Sequence, residues 1–511
     1  MTPPVPAPPT QSDPAITRRA RIGRFVGPLL AVVVHQSLGG SPLGDDARAT
    51  AAVGALMATW WITEAVPLPV TSLLPVALFP LTGATGVEAA TRPYANEILF
   101  LFGGGFVLAQ AVQRWGLHRR IALLTVLAVG TQPVRLIGGF MLATAFLSMW
   151  VSNTATVVMM LPIGASVLGL LGQDAPGDQD PPGTADIASG SAAADIDPRS
   201  FGTALMLAIA YAASIGSVAT LIGTPPNGIL AGYLADQGSP IGFGRWMLLG
   251  VPLAIVFLGI AWLLLTRVLF RLPQAAIPGG EGVIRDALTK MGPPGVGERR
   301  TLAVFVVTAA LWVTRPVITG LPGLSGLTDA SIAIAAAIAL FLVPAGRGIA
   351  LLSWDDAKQI PWGILLLFGG GLALASGIED TGIAAYIGEQ VVGLGHLDVV
   401  VLVAVTAVVI VLLTEVTSNT ATAAVFIPIL AGAAMGLDLP VTMLIVPATL
   451  VASFAFMLPV ATPPNAIVFA SGAVTVADMA RAGVWLNIIG VGLVVAATFA
   501  IVVPMFGGIA G

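Results

Sequence analysis

Ser148-Met149-Trp150-Val151-Ser152-Asn153-Thr154-Ala155-Thr156 and Thr414-Glu415-Val416-Thr417-Ser418-Asn419-Thr420-Ala421-Thr422 are two copies of one motif. Each sets Ser-Asn-Thr-Ala-Thr in strongly apolar surroundings, and each is followed by a proline (Pro162, Pro428) eight residues past the Thr of its Ser-Asn-Thr. Hydroxyls and amides in such a setting need partners, because an unpaired polar group in hydrocarbon is strongly unfavourable. Packed neighbours, a bound ion or a ligand can supply them.

The surroundings extend over the whole chain. Its 511 residues are 56% hydrophobic and 9% charged, where a soluble protein carries about 25% charged residues. Apolar runs recur from Arg24 to the C-terminus and are continuous rather than alternating, which implies an all-α polytopic membrane protein and not a β-barrel. With no Cys, disulfides, thiolate metal sites and Cys nucleophiles are excluded. The three His residues, His35, His118 and His396, are too scattered to suggest a metal site.

The first 17 residues are rich in Pro and Thr and read as a disordered tail, followed by the basic anchor Arg18, Arg19, Arg21 and Arg24. Over 49–83 two spans are separated by Trp60-Trp61-Ile62-Thr63-Glu64-Ala65-Val66-Pro67-Leu68-Pro69, where Glu64 is expected to tie loose backbone N–H groups together at the break. Phe102-Gly103-Gly104-Gly105-Phe106 suits close helix packing. Arg114, His118, Arg119 and Arg120 then open an amphipathic interfacial helix. Residues 172–200 read as a flexible polar loop, and 271–301 as a basic connecting loop. Asp329, at the start of a span, reads as a helix cap.

The second half repeats this plan. Phe102 and Phe368, each heading a Gly triplet, are 266 residues apart, as are Ser152 and Ser418. Thr224 of Gly223-Thr224-Pro225-Pro226-Asn227 and Thr462 of Ala461-Thr462-Pro463-Pro464-Asn465 are 238 apart, and the polar loop at 172–200 accounts for the shortfall. Adjacent prolines inside an apolar segment break the helix. Duplication with broken helices in matching positions is the sequence pointer to a transporter site near the midplane.

If each Ser-Asn-Thr segment is a re-entrant hairpin returning to its own side, the chain has eleven full transmembrane helices plus two hairpins. Of the 22 Lys and Arg, eighteen then lie on the side of the N-terminus, and only Arg48, Arg92, Arg245 and Arg315 lie opposite. This bias places the N-terminus in the cytoplasm and the C-terminus outside. The two halves enter from opposite faces as an inverted repeat, and the hairpin tips meet at midplane. Free carbonyls with Ser, Thr and Asn oxygens at such tips suit a small hard cation. Free N–H groups and helix N-termini suit an anion. No Arg or Lys occurs in either motif or either Thr-Pro-Pro, so a dianion held here depends on metal ions and helix dipoles. Glu415 stands where the first copy has Met149 and reads chiefly as a structural hydrogen-bonding group.

The paired Ser-Asn-Thr motifs, the Trp-Trp-Ile-Thr-Glu-Ala-Val-Pro stretch at 60–67 and the two Thr-Pro-Pro-Asn breaks resemble the divalent anion/sodium symporter family over about 24–508. The resemblance implies a homodimer in the bacterial inner membrane, with a scaffold and a transport domain that moves as an elevator. The scaffold would comprise 24–130 and 302–396, the transport domain 131–270 and 397–508, with a tail at 1–23 and a linker at 271–301. Motif matching implies one sodium site at Ser148, Ser152, Asn153 and the Gly223 backbone. A second would use Thr414, Thr417, Asn419 and the Ala461 backbone. Substrate carboxylates would meet Ser152, Asn153, Thr154, Thr224 and Pro225 on one side and Ser418, Asn419, Thr420, Thr462 and Pro463 on the other. The implied function is sodium-coupled import of C4-dicarboxylates such as succinate, malate and fumarate. A sodium-independent dicarboxylate exchanger and a citrate or sulfate carrier are the nearest alternatives. An intramembrane enzyme lacks its paired acids, His cluster or Ser-Lys pair, and the inverted hairpins favour alternating access over a channel. No nucleic-acid partner is expected.

Overall fold

The computed structural model describes residues 17–130, 132–173, 197–272, 280–346, 348–395 and 397–506. They are almost entirely helical. Among them only Pro344–Gly346 and Ile349–Ala350 are strands, paired antiparallel. Among the described residues eight helices are long and apolar enough to cross a membrane, the expected solution where every backbone polar group must be satisfied within its own segment.

The duplication is visible element by element. Helices Pro133–Ser148 and Asn153–Gln173 form one helix–turn–helix hairpin, and Val399–Thr414 with Asn419–Gly436 form the other. Three of these four boundaries shift by the same 266 residues. So do two glycines with positive φ, Gly116 (66°) and Gly382 (79°), each leading into a short helix, Leu117–Val129 and Ile383–Val391. The first is the expected amphipathic helix, burying Leu117, Ala122, Leu123 and Val126. The second lies in the acidic stretch after Glu379, where no element was expected.

Both Thr-Pro-Pro segments are breaks between two helices. Pro198–Ser217 gives way to Pro225–Asp236, and Thr442–Ala452 to Pro463–Ala470. In each case the proline pair occupies the start of the second helix. There the missing N–H costs nothing and the fixed φ is helical, so the prolines begin a helix rather than bend one. The Gly-triplet helices, Glu97–Arg114 and Trp362–Asp380, use their glycines for packing. A Cβ on Gly104 would lie 2.6 Å from the Ala333 backbone, and one on Gly370 2.4 Å from the Ser72 carbonyl oxygen. Phe102 and Phe368 from these helices meet edge to face at 4.7 Å, and Gly228 of the first broken helix fits against both rings.

Four sequence expectations change. Helix Arg18–Ser37 begins at Arg18, where the Thr17 hydroxyl accepts from Ala20 N (3.1 Å), so 18–23 are helix rather than tail, and 1–16 lie outside the described residues. The loop expected over 172–200 is helical at its ends, because Gln173 closes one helix and Asp197 caps the next; 174–196 lie outside the described residues. The basic connector contains the amphipathic helix Gly280–Met291, which packs on Leu117–Val129. Asp329 does not cap its own helix, since Thr328 and Ser331 do that with a reciprocal capping box. It accepts instead from Phe243 N (2.7 Å), the first residue of Phe243–Leu263, and pairs with Arg315 at 2.9 Å.

Candidate functional site

The two hairpin tips and the two helix breaks converge on one cavity of ≈ 610 Å³. The first half contributes Ser152, Asn153, Thr154, Gly223, Thr224 and Pro225, and the second Ser418, Asn419, Thr420, Ala461, Thr462 and Pro463. All ten residues expected to meet substrate therefore line a single space. Four helices begin at its wall: Asn153–Gln173, Asn419–Gly436, Pro225–Asp236 and Pro463–Ala470. The unpaired N–H groups and positive dipole ends of helix N-termini favour an anion. Phe102, Phe106, Leu68 and Ile364 add apolar wall.

Behind each tip lies a buried oxygen cluster. Ser148 Oγ is 2.6 Å from Asn153 Oδ1 and 2.7 Å from the Ala213 carbonyl oxygen. Thr414 Oγ1 is 2.6 Å from Asn419 Oδ1 and 2.7 Å from the Ala452 carbonyl oxygen. A hydroxyl carries one proton, yet each here faces two acceptors. Each cluster thus brings together three oxygens with one hydrogen, a donor set suited to a small hard cation. Asn153 Nδ2 also donates to Ser217 Oγ (3.3 Å). Other expected sodium ligands are placed differently. Ser152 Oγ caps its helix, accepting from Ala155 N (3.3 Å), and the Thr417 hydroxyl is engaged with Leu413 O (2.8 Å) and Thr422 Oγ1 (2.7 Å). Gly223 and Ala461 stand in the two breaks. A Cβ on Gly223 would lie 2.2 Å from the Ser217 carbonyl oxygen, so only glycine fits.

The breaks are held by side chains that the motif reading left without a role. Asn227 Nδ2 donates to Thr220 O (2.8 Å), and Asn465 Nδ2 donates to Leu458 O and Ala455 O (3.0 Å each). Each asparagine reaches back seven residues and closes its own loop, and the last letter of Thr-Pro-Pro-Asn carried that signal. Glu415 accepts from Phe456 N, Met457 N, Leu458 N and Asn487 Nδ2, as its structural reading expects.

Glu64 departs from expectation. It takes a left-handed conformation (φ 50°) after helix Asp45–Thr63, and among the described residues its carboxylate ties down no backbone N–H. It faces the cavity. Arg19 lines the same rim, donating to Val416 O (2.9 Å) at the second tip and to Ile62 O. It is the one cationic side chain among the described residues lining the cavity. No local motif marked it, because it arrives from a helix far away in sequence. A second cavity of ≈ 430 Å³, beyond the end of the first broken helix, sets Glu97, Asp236, Glu379 and Asp380 against Arg92. That excess of carboxylates disfavours an anion.

The chain is 40% identical over 491 residues to the sodium-dependent dicarboxylate transporter SdcS of Staphylococcus saprophyticus, covering 95% of this chain and 92% of that protein. It is 40% identical over 475 residues to SdcS of Staphylococcus aureus, covering 92% and 88%. Among solved structures it shares its fold with the Alcanivorax borkumensis YdaH transporter (TM-score 0.55, 12% identity, 97% of this chain and 100% of that one). Neisseria gonorrhoeae MtrF is similarly related (TM-score 0.53, 13% identity, 95% of each chain). The profile described as the sodium:sulfate symporter transmembrane region matches residues 29–506. With paired motifs, matching breaks and this coverage, the chain belongs to the sodium:sulfate symporter transmembrane family.

Proposed function

We propose that this protein is a secondary active transporter importing C4-dicarboxylates, such as succinate, malate and fumarate, together with sodium. The observation that carries the reading is the pair of proton-poor oxygen clusters behind the two tips of one cavity. One sodium would sit at Ser148, Ser152, Asn153 and the Gly223 backbone, and another at Thr414, Thr417, Asn419 and the Ala461 backbone. The substrate carboxylates would lie against Ser152, Asn153, Thr154, Thr224 and Pro225 and against Ser418, Asn419, Thr420, Thr462 and Pro463. Two bound cations and four helix N-termini offset the charge of a dianion in a low-dielectric cavity. The two 40%-identical relatives named as sodium-dependent dicarboxylate transporters support this choice over a sodium-independent exchanger or a citrate or sulfate carrier.

The movement we propose is an elevator. Residues 131–270 and 397–508 carry the site past a scaffold of 24–130 and 302–396, in a homodimer with a cytoplasmic N-terminus. Contacts between these parts then have to break in each cycle. They include Tyr233 Oη to Glu379 Oε1 (2.9 Å) and Asn96 Nδ2 to Asp236 Oδ1 (2.7 Å). Each is a single polar contact, weak enough to exchange.

Uptake of labelled succinate into proteoliposomes, with and without an inward sodium gradient, tests the reading. Sodium-dependent uptake blocked by unlabelled malate and fumarate is the expected result. Uptake that ignores sodium and requires internal dicarboxylate would establish exchange instead. Preferential block by citrate or sulfate would reassign the substrate.

A further inference from the structure

The two oxygen clusters match in geometry but differ in charge. Glu415 directly follows Thr414 in the chain, and Met149 holds the matching place after Ser148. The Glu415 side chain is 4% exposed. Its Oε1 accepts from Phe456 N (2.8 Å), Met457 N (2.9 Å) and Asn487 Nδ2 (2.7 Å), and its Oε2 from Met457 N (3.1 Å) and Leu458 N (3.1 Å). Every one of these neighbours is a donor. A protonated carboxyl would have to turn its own O–H toward an N–H, whereas a carboxylate is acceptor-only and fits all five contacts. The geometry therefore calls for an anion. Among the described residues no Arg, Lys or His forms an ion pair with it. The nearby Tyr211 hydroxyl is turned to the Phe456 carbonyl (2.9 Å), with the Met479 carbonyl at 3.2 Å, instead.

The same carboxylate fixes backbone. Residues 456–458 lead into the break that contains Ala461, whose N–H bonds Leu458 O (3.2 Å). In the first half, neutral groups do the corresponding work. Thr220 Oγ1 donates to Met149 O (2.5 Å), and Trp246 Nε1 donates to Val218 O (2.9 Å).

We infer that Glu415 is a positioning residue that makes the two cation sites unequal: its uncompensated charge, one residue from Thr414, gives the second-half site the higher sodium affinity, so that it fills first. The inference rests on the sodium-coupled reading above. Two oxygen clusters of like geometry bind a cation with unlike strength when a fixed negative charge adjoins only one of them, and burial magnifies the difference.

The test is the sodium dependence of succinate uptake at saturating succinate, for the reconstituted wild type, E415D and E415Q. In E415Q the half-saturating sodium concentration is expected to rise roughly tenfold or more and the steepness of the curve to fall. E415D, which keeps the charge, is expected to stay near the wild type. A merely structural role, acting through the backbone of the break at Ala461, would move the midpoint in E415D as it does in E415Q, and that outcome overturns the inference. A sodium-dependent wild type with an unmoved E415Q curve overturns this inference alone, while a sodium-independent wild type overturns the coupling with it. Should E415Q fail to fold, sodium titration of thermal stability in S148A and T414A serves instead. Loss of the low-concentration step in T414A and of the high-concentration step in S148A is expected, and the reverse pattern overturns the assignment.

Discussion

The hydroxyls of Thr224 and Ser453 meet at 3.3 Å, both buried, so the break of the first repeat touches the break of the second. Neither repeat encloses the cavity by itself. Each contributes one tip and one break, and the substrate space is the gap between them.

Because Asn153 and Asn419 each contribute an oxygen to a cluster and a surface to the cavity, Asn153→Ala and Asn419→Ala are expected to abolish sodium-driven succinate uptake. Both proteins should still insert and elute as the wild type on size exclusion. Normal uptake in either variant would remove it from the site.

Asn465→Ala leaves the Ala455 carbonyl without its side-chain donor inside the fold, and leaves Leu458 O with Ala461 N alone. A buried acceptor left unpaired costs about 1–3 kcal/mol. A clear fall in Tm of the detergent-solubilised protein is expected, with Asn227→Ala following the same direction through Thr220 O.

Gly228 has no room for a methyl, since a Cβ there would lie 2.6 Å from the Phe102 ring and 2.8 Å from that of Phe368. Gly228→Ala forces those rings apart and jams the contact between the first broken helix and the Gly-triplet helices. The expected signature is a fall in maximal uptake with the sodium midpoint little changed. A Gly228→Ala protein transporting at the wild-type rate would show that this contact does not move.

Arg19 provides the cavity with positive charge at its rim. Removing a fixed charge at the mouth of a cleft lowers the local concentration of a dianion. Arg19→Gln is expected to raise the succinate KM several-fold at low ionic strength and less at high salt. A KM insensitive to both the substitution and salt would assign Arg19 to packing alone.

Asp197 caps helix Pro198–Ser217, accepting from Arg199 N (3.1 Å) and Ser200 N (3.2 Å). Its hydrogen bond with the Ser200 hydroxyl, the largest of the causes, holds the carboxyl below its ordinary pKa, and the two backbone bonds add to this. With the folded pKa depressed, the cap stabilises fully above the ordinary Asp value and is lost as pH falls through the folded pKa. Asp197→Ala should cost about 1 kcal/mol or less at neutral pH, given how exposed the cap is, and progressively less as the pH falls below the ordinary Asp value. Thermal melts of both proteins across pH 3–7 check this.

The fold class was legible in the sequence because hydrocarbon leaves a chain few choices. Continuous apolar runs must be helices, adjacent prolines cannot sit in a helix interior, and a 266-residue repeat of polar motifs must place like groups in like positions. The two Ser-Asn-Thr motifs could be singled out on that basis, since their polarity has no use in an apolar helix unless something meets it, while Ser148 and Thr414 were named as ligands through the family resemblance. The tertiary structure decided which groups meet. Arg19 and Glu64 reach the cavity rim from the first two helices, and Asp329 caps a helix 86 residues away. The Glu415 carboxylate finds its donors 41 to 43 residues on, and another 72 residues on. Local periodicity reports which face of a helix is apolar. It carries no information on which distant backbone N–H will lie opposite a given carboxylate, because that follows from how the two repeats pack.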